Sequence, residues 1–445
     1  MNETRELVQF LAALNDLPAE VEDRTRYLLL DYLGVAIRGS RAESSTAVYK
    51  MIHRLKARSL PTYTALAYGT AAHAIEMDDT HNAGSIHLGV VIFSTALALM
   101  ETLPDLPAER FISAVVAGYE AAARVAVAAR PKQQYSLGFH PTSTCGVFGA
   151  AITAAKLLDL TPQQTLSAFG IAGSMAAGSL EFLAEGAWTK RLHPGLAAQN
   201  GIQAALLASE GFRGPSTILE GRDGFLHGYS RDPLAETLTA DLGASFEIMR
   251  TSVKPHACCR YMQGPIDAIL DLVRQHGFRP HQVRAVTVTV LEAGWPLVVE
   301  PRAQKYNPQS VVEAQFSMPF AAAVALLFGA AGIDQFREEN VRSDEVRRMM
   351  RRVEMIADDT LEENFPLEWP ARARIELTDG RRLEKHVEHP KGDPENPLTW
   401  DELIAKFKLL VEPCVTAERA DEMIAGVRGG NCWRGLLGPF IGEAL

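Results

Sequence analysis

Cysteine is scarce in this chain: five residues, at positions 145, 258, 259, 414 and 432, among 445. None forms a C-x-x-C pair, which argues against a disulfide framework, a zinc ribbon or a thioredoxin-type redox motif and favours a reducing cytoplasm. Also missing are G-x-G-x-x-G, the Walker A pattern, G-x-S-x-G and H-E-x-x-H, so dinucleotide, nucleotide, serine-hydrolase and zincin chemistry lose their usual signatures. Positive charge is in deficit. The 44 Lys+Arg stand against 54 Asp+Glu, a net −10, which argues against nucleic acid or an anionic membrane as partner. An anionic ligand would need its cations gathered locally. One stretch, 314–333, runs 20 residues without a charge, the length of a membrane span. It contains Gln315, Ser317, Pro319 and two glycines between Glu313 and Asp334, and reads as a buried core helix. The first residues place Glu3, Glu6 and Asp16 among apolar side chains at helical spacing, unlike a basic signal-peptide leader.

What is present is ordinary in bulk. Hydrophobic residues make up 47% and charged residues 22%, a globular composition, and the length predicts two or three domains at roughly 150 residues each. From residue 1 to about 249 the chain reads as helices. Val21, Leu28, Leu29, Tyr32, Val35 and Ala36 recur at helical spacing between Pro18 and Gly39. Further helices are predicted over 70–78, 90–103, 109–129, 146–158, 162–177 and 195–209. Many are rich in Ala and Gly, whose smooth surfaces allow close packing. After 250 the pattern changes: Val286, Val288 and Val290 alternate with Thr287 and Thr289 as in a strand. A hairpin is predicted from 372–377 and 383–387 around Thr378, Asp379 and Gly380, and a charged helix from Ser343. The Pro-rich run 389–397 reads as a linker, after which Thr399 opens another helix. The expected fold is mainly α. A discontinuous helical bundle domain (1–249 and 399–445) would carry an inserted smaller α+β lid domain (250–398).

Four polar clusters interrupt the apolar helical sequence. The first runs from His73 through Glu76, Asp78, Asp79 and Thr80 to His81, with His87 following. Its His and Asp residues are possible metal ligands, but their intervals match no strong metal motif. Proton transfer beside a held carboxylate and simple helix capping are the other readings. The second places His140 at a helix entrance, where free N–H groups suit an anion; a capped helix with a solvated histidine is the bland alternative. The third holds Lys190 and Arg191, an ammonium and a planar fork suited to carboxylates, or an exposed basic pair. In the fourth, Lys254, His256 and Arg260 could line an anion pocket, while vicinal Cys258 and Cys259 read as small buried residues.

Taken in order, AAHAIEMDDTH with His87, GFHPTSTCGVFGAA, TKRLHPGLAAQNG, KPHACCRYMQGPIDA and FSMPFAAAVAL resemble the MmgE/PrpD family. That family includes 2-methylcitrate dehydratase, cis-aconitate decarboxylase and iminodisuccinate epimerase. The resemblance implies a helical domain with an α+β lid, a homodimer, an active site in the cleft between the two, and no metal or organic cofactor. Position by position, it implies a site with Glu76 in place of an Asp, together with Thr80, His87, His140 and Lys190. A histidine of the family pattern falls at Cys259 and a tyrosine at Phe320. The implied activity is a lyase, of dehydratase or decarboxylase type, acting on a small di- or tricarboxylate. Lys190, Arg260 and Thr80 would clamp carboxylates while His140 or His87 moves a proton. Asp79, His81, Arg191, Lys254, His256, Cys259 and Phe320 complete the expected substrate surroundings. An epimerase of an iminodisuccinate-like acid and a non-catalytic carboxylate-binding relative are the alternatives.

Overall fold

The structure, a computed structural model, describes residues 2–103, 106–430 and 433–440. Cys432 and the last five residues of the expected C-terminal return lie outside the described residues.

The chain is mainly α. Helix Ala19–Gly39 buries Leu28, Leu29, Leu30 and Leu33, and helix Ala108–Ala129 is buried on nearly every side. That helix is long and apolar enough to cross a membrane, but 94% of its most apolar window lies inside the protein. Charge-free stretch 314–333 is interrupted: only Met318–Phe328 forms a long helix, started by Ser317 capping Phe320 N–H and stopped by Gly329 in the left-handed conformation.

Small residues fix the helix crossings. A Cβ added to Gly149 would sit 2.5 Å from the Gly118 carbonyl oxygen, and one added to Gly69 would sit 2.6 Å from the Gly195 backbone. Real side chains do not tolerate such distances, so glycine lets helix Pro61–Ala72 lie directly against helix Thr189–Ser209. This contact brings the first and third polar clusters together.

Two helix predictions need correction there. No helix spans 70–78: Pro61–Ala72 ends before His73, and Glu76 takes a left-handed φ of 59°. A β-carbon disfavours that conformation inside a helix, and the chain instead runs as a loop into Thr80–His81, paired antiparallel with Thr251–Ser252. The expected 195–209 helix begins earlier, at Thr189, which puts Lys190 in its first turn rather than before it.

The region after 250 carries a four-stranded sheet. Val283–Thr289 pairs in parallel with Val353–Ile356, a strand the alternation pattern missed because it is only four residues long. On its other side lies Ala371–Leu377, antiparallel and followed by Arg382–Val387. Ala371, Ala373, Ile375 and Leu377 are buried on one face. Past the 389–397 run, helix Trp400–Val411 starts with a capping box at Thr399 and Glu402. It packs on Ala19–Gly39, where Phe407 fills the space over Gly34 and buried Lys406 pairs with Asp31 at 2.6 Å.

Candidate active site

A small cavity of about 40 Å³ is lined from both halves of the chain. Glu76, Thr80, His87, His140 and Lys190 face it from the helical part, and Cys259 and Arg260 from the region after 250. Small-molecule pockets usually reach roughly 300–1,000 Å³, so the walls must part to admit a ligand.

The loop after His73 builds its charged side. Lys190 Nζ donates to Glu76 Oε1, and Lys254, fully buried behind it, lies 3.5 Å from Glu76 Oε2 and 3.6 Å from Asp78 Oδ1. Burial alone would raise the Glu76 carboxyl; Lys190 and Lys254 outweigh it and hold the group down at about 2. Lys254 is kept charged by Asp78 and Glu76 against the cost of burial. Carboxylates and ammoniums here sustain one another's ionisation in a low-dielectric interior. Lys406 also donates to the Met77 carbonyl at 2.8 Å, so the C-terminal return fixes the loop between Glu76 and Asp78.

The imidazoles form the second side. Asp78 Oδ2 lies 2.8 Å from His73 Nδ1 and 2.9 Å from His87 Nδ1; His87 Nδ1 also lies 2.9 Å from the Asp79 carbonyl and 3.3 Å from Thr80 Oγ1. His87 lines the cavity, and with Nδ1 so engaged its open ring nitrogen is Nε2. His140 Nδ1 lies 2.9 Å from His193 Nδ1, leaving its own Nε2 without a partner among the described residues. The rings of His73, His87 and His140 stand 4.7–6.5 Å apart. Burial pushes His73 down to about 4 and lowers His87; it drives His140 well below the usual imidazole range, with repulsion from His193 and Lys190 adding to it. The His73, Asp78 and His87 ligand atoms lie within 4.8 Å of one another. The Lys254 ammonium stands 3.6 Å from the other oxygen of that carboxylate, an ion pair without a hydrogen bond, and its charge would repel a second cation there.

Other expected residues lie off the cavity lining. Asp79 accepts the Gly89 N–H at 2.9 Å and the Tyr119 hydroxyl at 2.7 Å. It caps helix Gly89–Met100, so the capping reading holds for this acid. His81 pairs with Glu247 at 2.8 Å, Arg191 reaches Ser44, and His256 pairs with Asp267 at 2.9 Å. Phe320 is buried 5.4 Å from the Phe336 ring. Arg260 lines the cavity, yet its guanidinium donates to Asp393 and to Asn82, tying the 389–397 run to the first cluster. Cys258 and Cys259 are buried free thiols, and burial pushes both up, keeping them protonated.

Residues not singled out beforehand complete the walls. Tyr135 and Ser85 join hydroxyls at 2.9 Å, and Tyr261 lies beside them; these are phenols in a site whose expected tyrosine position is Phe320. Tyr261 and His193 stand within the motifs KPHACCRYMQGPIDA and TKRLHPGLAAQNG, and Tyr135 lies five residues before His140. Phe182 and Leu297 also line the cavity and carried no sequence signal, because an apolar wall residue looks like any core residue; Phe316 beside them opens the FSMPFAAAVAL motif.

Asp79 also supplies a stability test. Burial raises its carboxyl to about 7 despite the Tyr119 and Gly89 hydrogen bonds. The native state therefore holds a proton that the unfolded chain releases from about pH 4 upward, and this contribution to stability is lost as pH rises through about 7. Asp79→Asn keeps an acceptor and removes the charge. Its melting temperature is expected to exceed wild type by several degrees, roughly, at about pH 8 and to show no such gain near pH 5; thermal denaturation at both values checks this.

Comparison with known proteins gives a family pattern over most of the chain. The family model of the MmgE/PrpD N-terminal domain matches residues 5–237, and that of the MmgE/PrpD C-terminal domain matches 256–428. A cis-aconitate decarboxylase-like protein, oryM, of Aspergillus oryzae is 29% identical over 94% of this chain and 92% of its own length. Cis-aconitate decarboxylase of Aspergillus terreus is 26% identical over 92% and 89%, and that of Mus musculus 25% over 93% and 87%.

Proposed function

Because the chain belongs to the MmgE/PrpD family and is a lyase of that family, we propose that it decarboxylates a small unsaturated tricarboxylate of the cis-aconitate kind. Its own side chains serve as clamp and proton donor. The observation that carries this reading is the convergence of the Lys190 ammonium and two imidazoles, His87 and His140, on one small cavity. Each imidazole has its Nδ1 fixed by a partner.

Lys190 and Thr80 hold substrate carboxylates. The bond to one carboxylate carbon breaks, CO2 leaves, and the electron pair passes through the conjugated double bond into a neighbouring carboxylate as an enediolate facing the ammonium. A proton taken up from solvent by His140 or His87 is then delivered to carbon, so the reaction consumes one proton. The free site keeps both imidazoles neutral by burial, and an adjacent polyanion reverses that shift by stabilising the imidazolium. The same family reading carries the proposal of a cytoplasmic homodimer.

The test is incubation of the protein with cis-aconitate, citrate, 2-methylcitrate and aspartate-derived acids in D2O, followed by NMR. Loss of CO2 from cis-aconitate, with deuterium in the product, is the expected result. New olefinic signals from the hydroxy acids would instead identify a dehydratase, and exchange without net conversion an isomerase. No change across the panel would overturn the proposal.

A further inference from the structure

His193 belongs to no functional role so far, yet among the described residues it makes the one hydrogen bond to the His140 ring. It sits on helix Thr189–Ser209, one turn after Lys190, and its Nδ1 lies 2.9 Å from His140 Nδ1. Both rings are buried. The Phe182 ring stands 6.0 Å from His140 and 6.1 Å from His193, and no carboxylate among the described residues pairs with either. The charged and titratable groups facing the pair are Lys190, His73 and His87.

Two neutral imidazoles can hold this contact in one way: a single proton lies between the two Nδ1 atoms, donated by one ring to the lone pair of the other. Their tautomers are therefore complementary. If His140 owns the proton, its Nε2 faces the cavity as a bare base; if His193 owns it, the His140 Nε2 carries hydrogen and faces the cavity as a donor.

We propose that His193 is a positioning residue that shares the Nδ1 proton with His140 and so sets the protonation of the His140 Nε2 in the cavity. When His140 gains a proton at Nε2, its Nδ1 proton passes to His193 Nδ1, and the positive charge rests on the outer ring. When Nε2 gives its proton to substrate carbon, the Nδ1 proton returns to His140. Protons balance at each step, and no other reactant is needed. The kinetic consequence rests on the functional reading above, because it requires His140 to exchange protons with a substrate.

Two variants separate this role from mere support. His193→Phe keeps an aromatic ring but no nitrogen; kcat is expected to fall roughly 10–100-fold with KM nearly unchanged. Its pH profile of kcat should move away from that of wild type, because the two imidazoles no longer titrate as one unit. His193→Asn restores one hydrogen bond without a site for the extra proton, so it should regain the melting temperature but little of kcat. Full recovery of kcat by Asn would reduce His193 to a structural hydrogen bond and overturn the proposal, as would a wild-type rate and pH profile in the Phe variant. Long-range 15N–1H correlation spectra of the wild-type protein provide a readout without substrate. Complementary tautomers for His140 and His193 are expected, and two rings both protonated at Nε2 would overturn the proposal even if no substrate turned over. An inactive His140→Ala beside a fully active His193→Phe would reject the inference while leaving the proposed function standing.

Discussion

Replacing Lys190 with Met should lower kcat/KM for the turned-over tricarboxylate by about 10³-fold. Lys190 and Arg260 are the two cationic side chains in the lining, and the Arg260 guanidinium is already committed to Asp393. Lys254 is fully buried behind Glu76 and Asp78. Without Lys190, Glu76 would face an incoming carboxylate. A unit charge at about 4 Å interacts by about 4 kcal/mol at the effective dielectric typical of such sites, and each 1.36 kcal/mol is about one decade in rate. The fold should survive, because Glu76 keeps Lys254 at 3.5 Å. Steady-state kinetics with a parallel melting curve check this. Values of kcat and KM within about threefold of wild type would refute the assignment of Lys190 as the clamp. Lys190→Arg should recover part of the loss, since it restores the charge with a bulkier, planar head.

His140→Ala should cost about 10²–10⁴-fold in kcat, the range for removing a positioned acid or base. It also has a thermodynamic signature. Burial, then His193 and Lys190, hold the His140 imidazole well below its ordinary value, so the free protein near pH 7 carries it neutral. A bound polyanion favours the charged form, and binding should take up a proton. Calorimetric titration in buffers of different ionisation enthalpy measures that uptake, which should shrink in the Ala variant. Unchanged proton uptake together with near-wild-type turnover would move the role to His87. The same depressed imidazoles link stability to pH. His73 and His193 are each held near about 4, so between about 4 and 6.5 the unfolded chain binds more protons than the native one. Their contribution to stability is expected to fall as pH drops through that window, opposite in sign to the contribution of the Asp79 carboxyl.

The clusters show how much of the site was legible. Glu76, Thr80, His87, His140 and Lys190 stood out as polar residues in apolar, small-residue sequence, and all five line one cavity. Asp79, His81 and His256 stood out for the same reason, yet each is satisfied by a neighbour away from it. A buried polar residue must find a partner in either case, and sequence does not reveal whether that partner is a protein group or a substrate. Cys259 and Phe320 were linked by the family pattern, but Cys259 lines the cavity while Phe320 packs against Phe336. The phenols nearest the cavity come from Tyr135 and Tyr261 instead.

By itself the sequence determined the helical class, the strand-bearing region after 250, the acidic surface and the polar segments from which a site would be assembled. These follow from local properties: period, turn chemistry, charge count and the misfit of a polar group in an apolar helix. Only the tertiary structure decided that helix Pro61–Ala72 stops before His73, that Glu76 turns left-handed between two lysines, and that His140 meets His193. Those outcomes depend on helices crossing at Gly69 and Gly195 and on Lys406 arriving from the far end of the chain. Contacts between residues more than a hundred positions apart are set by packing, and no local pattern encodes which buried charge will face which.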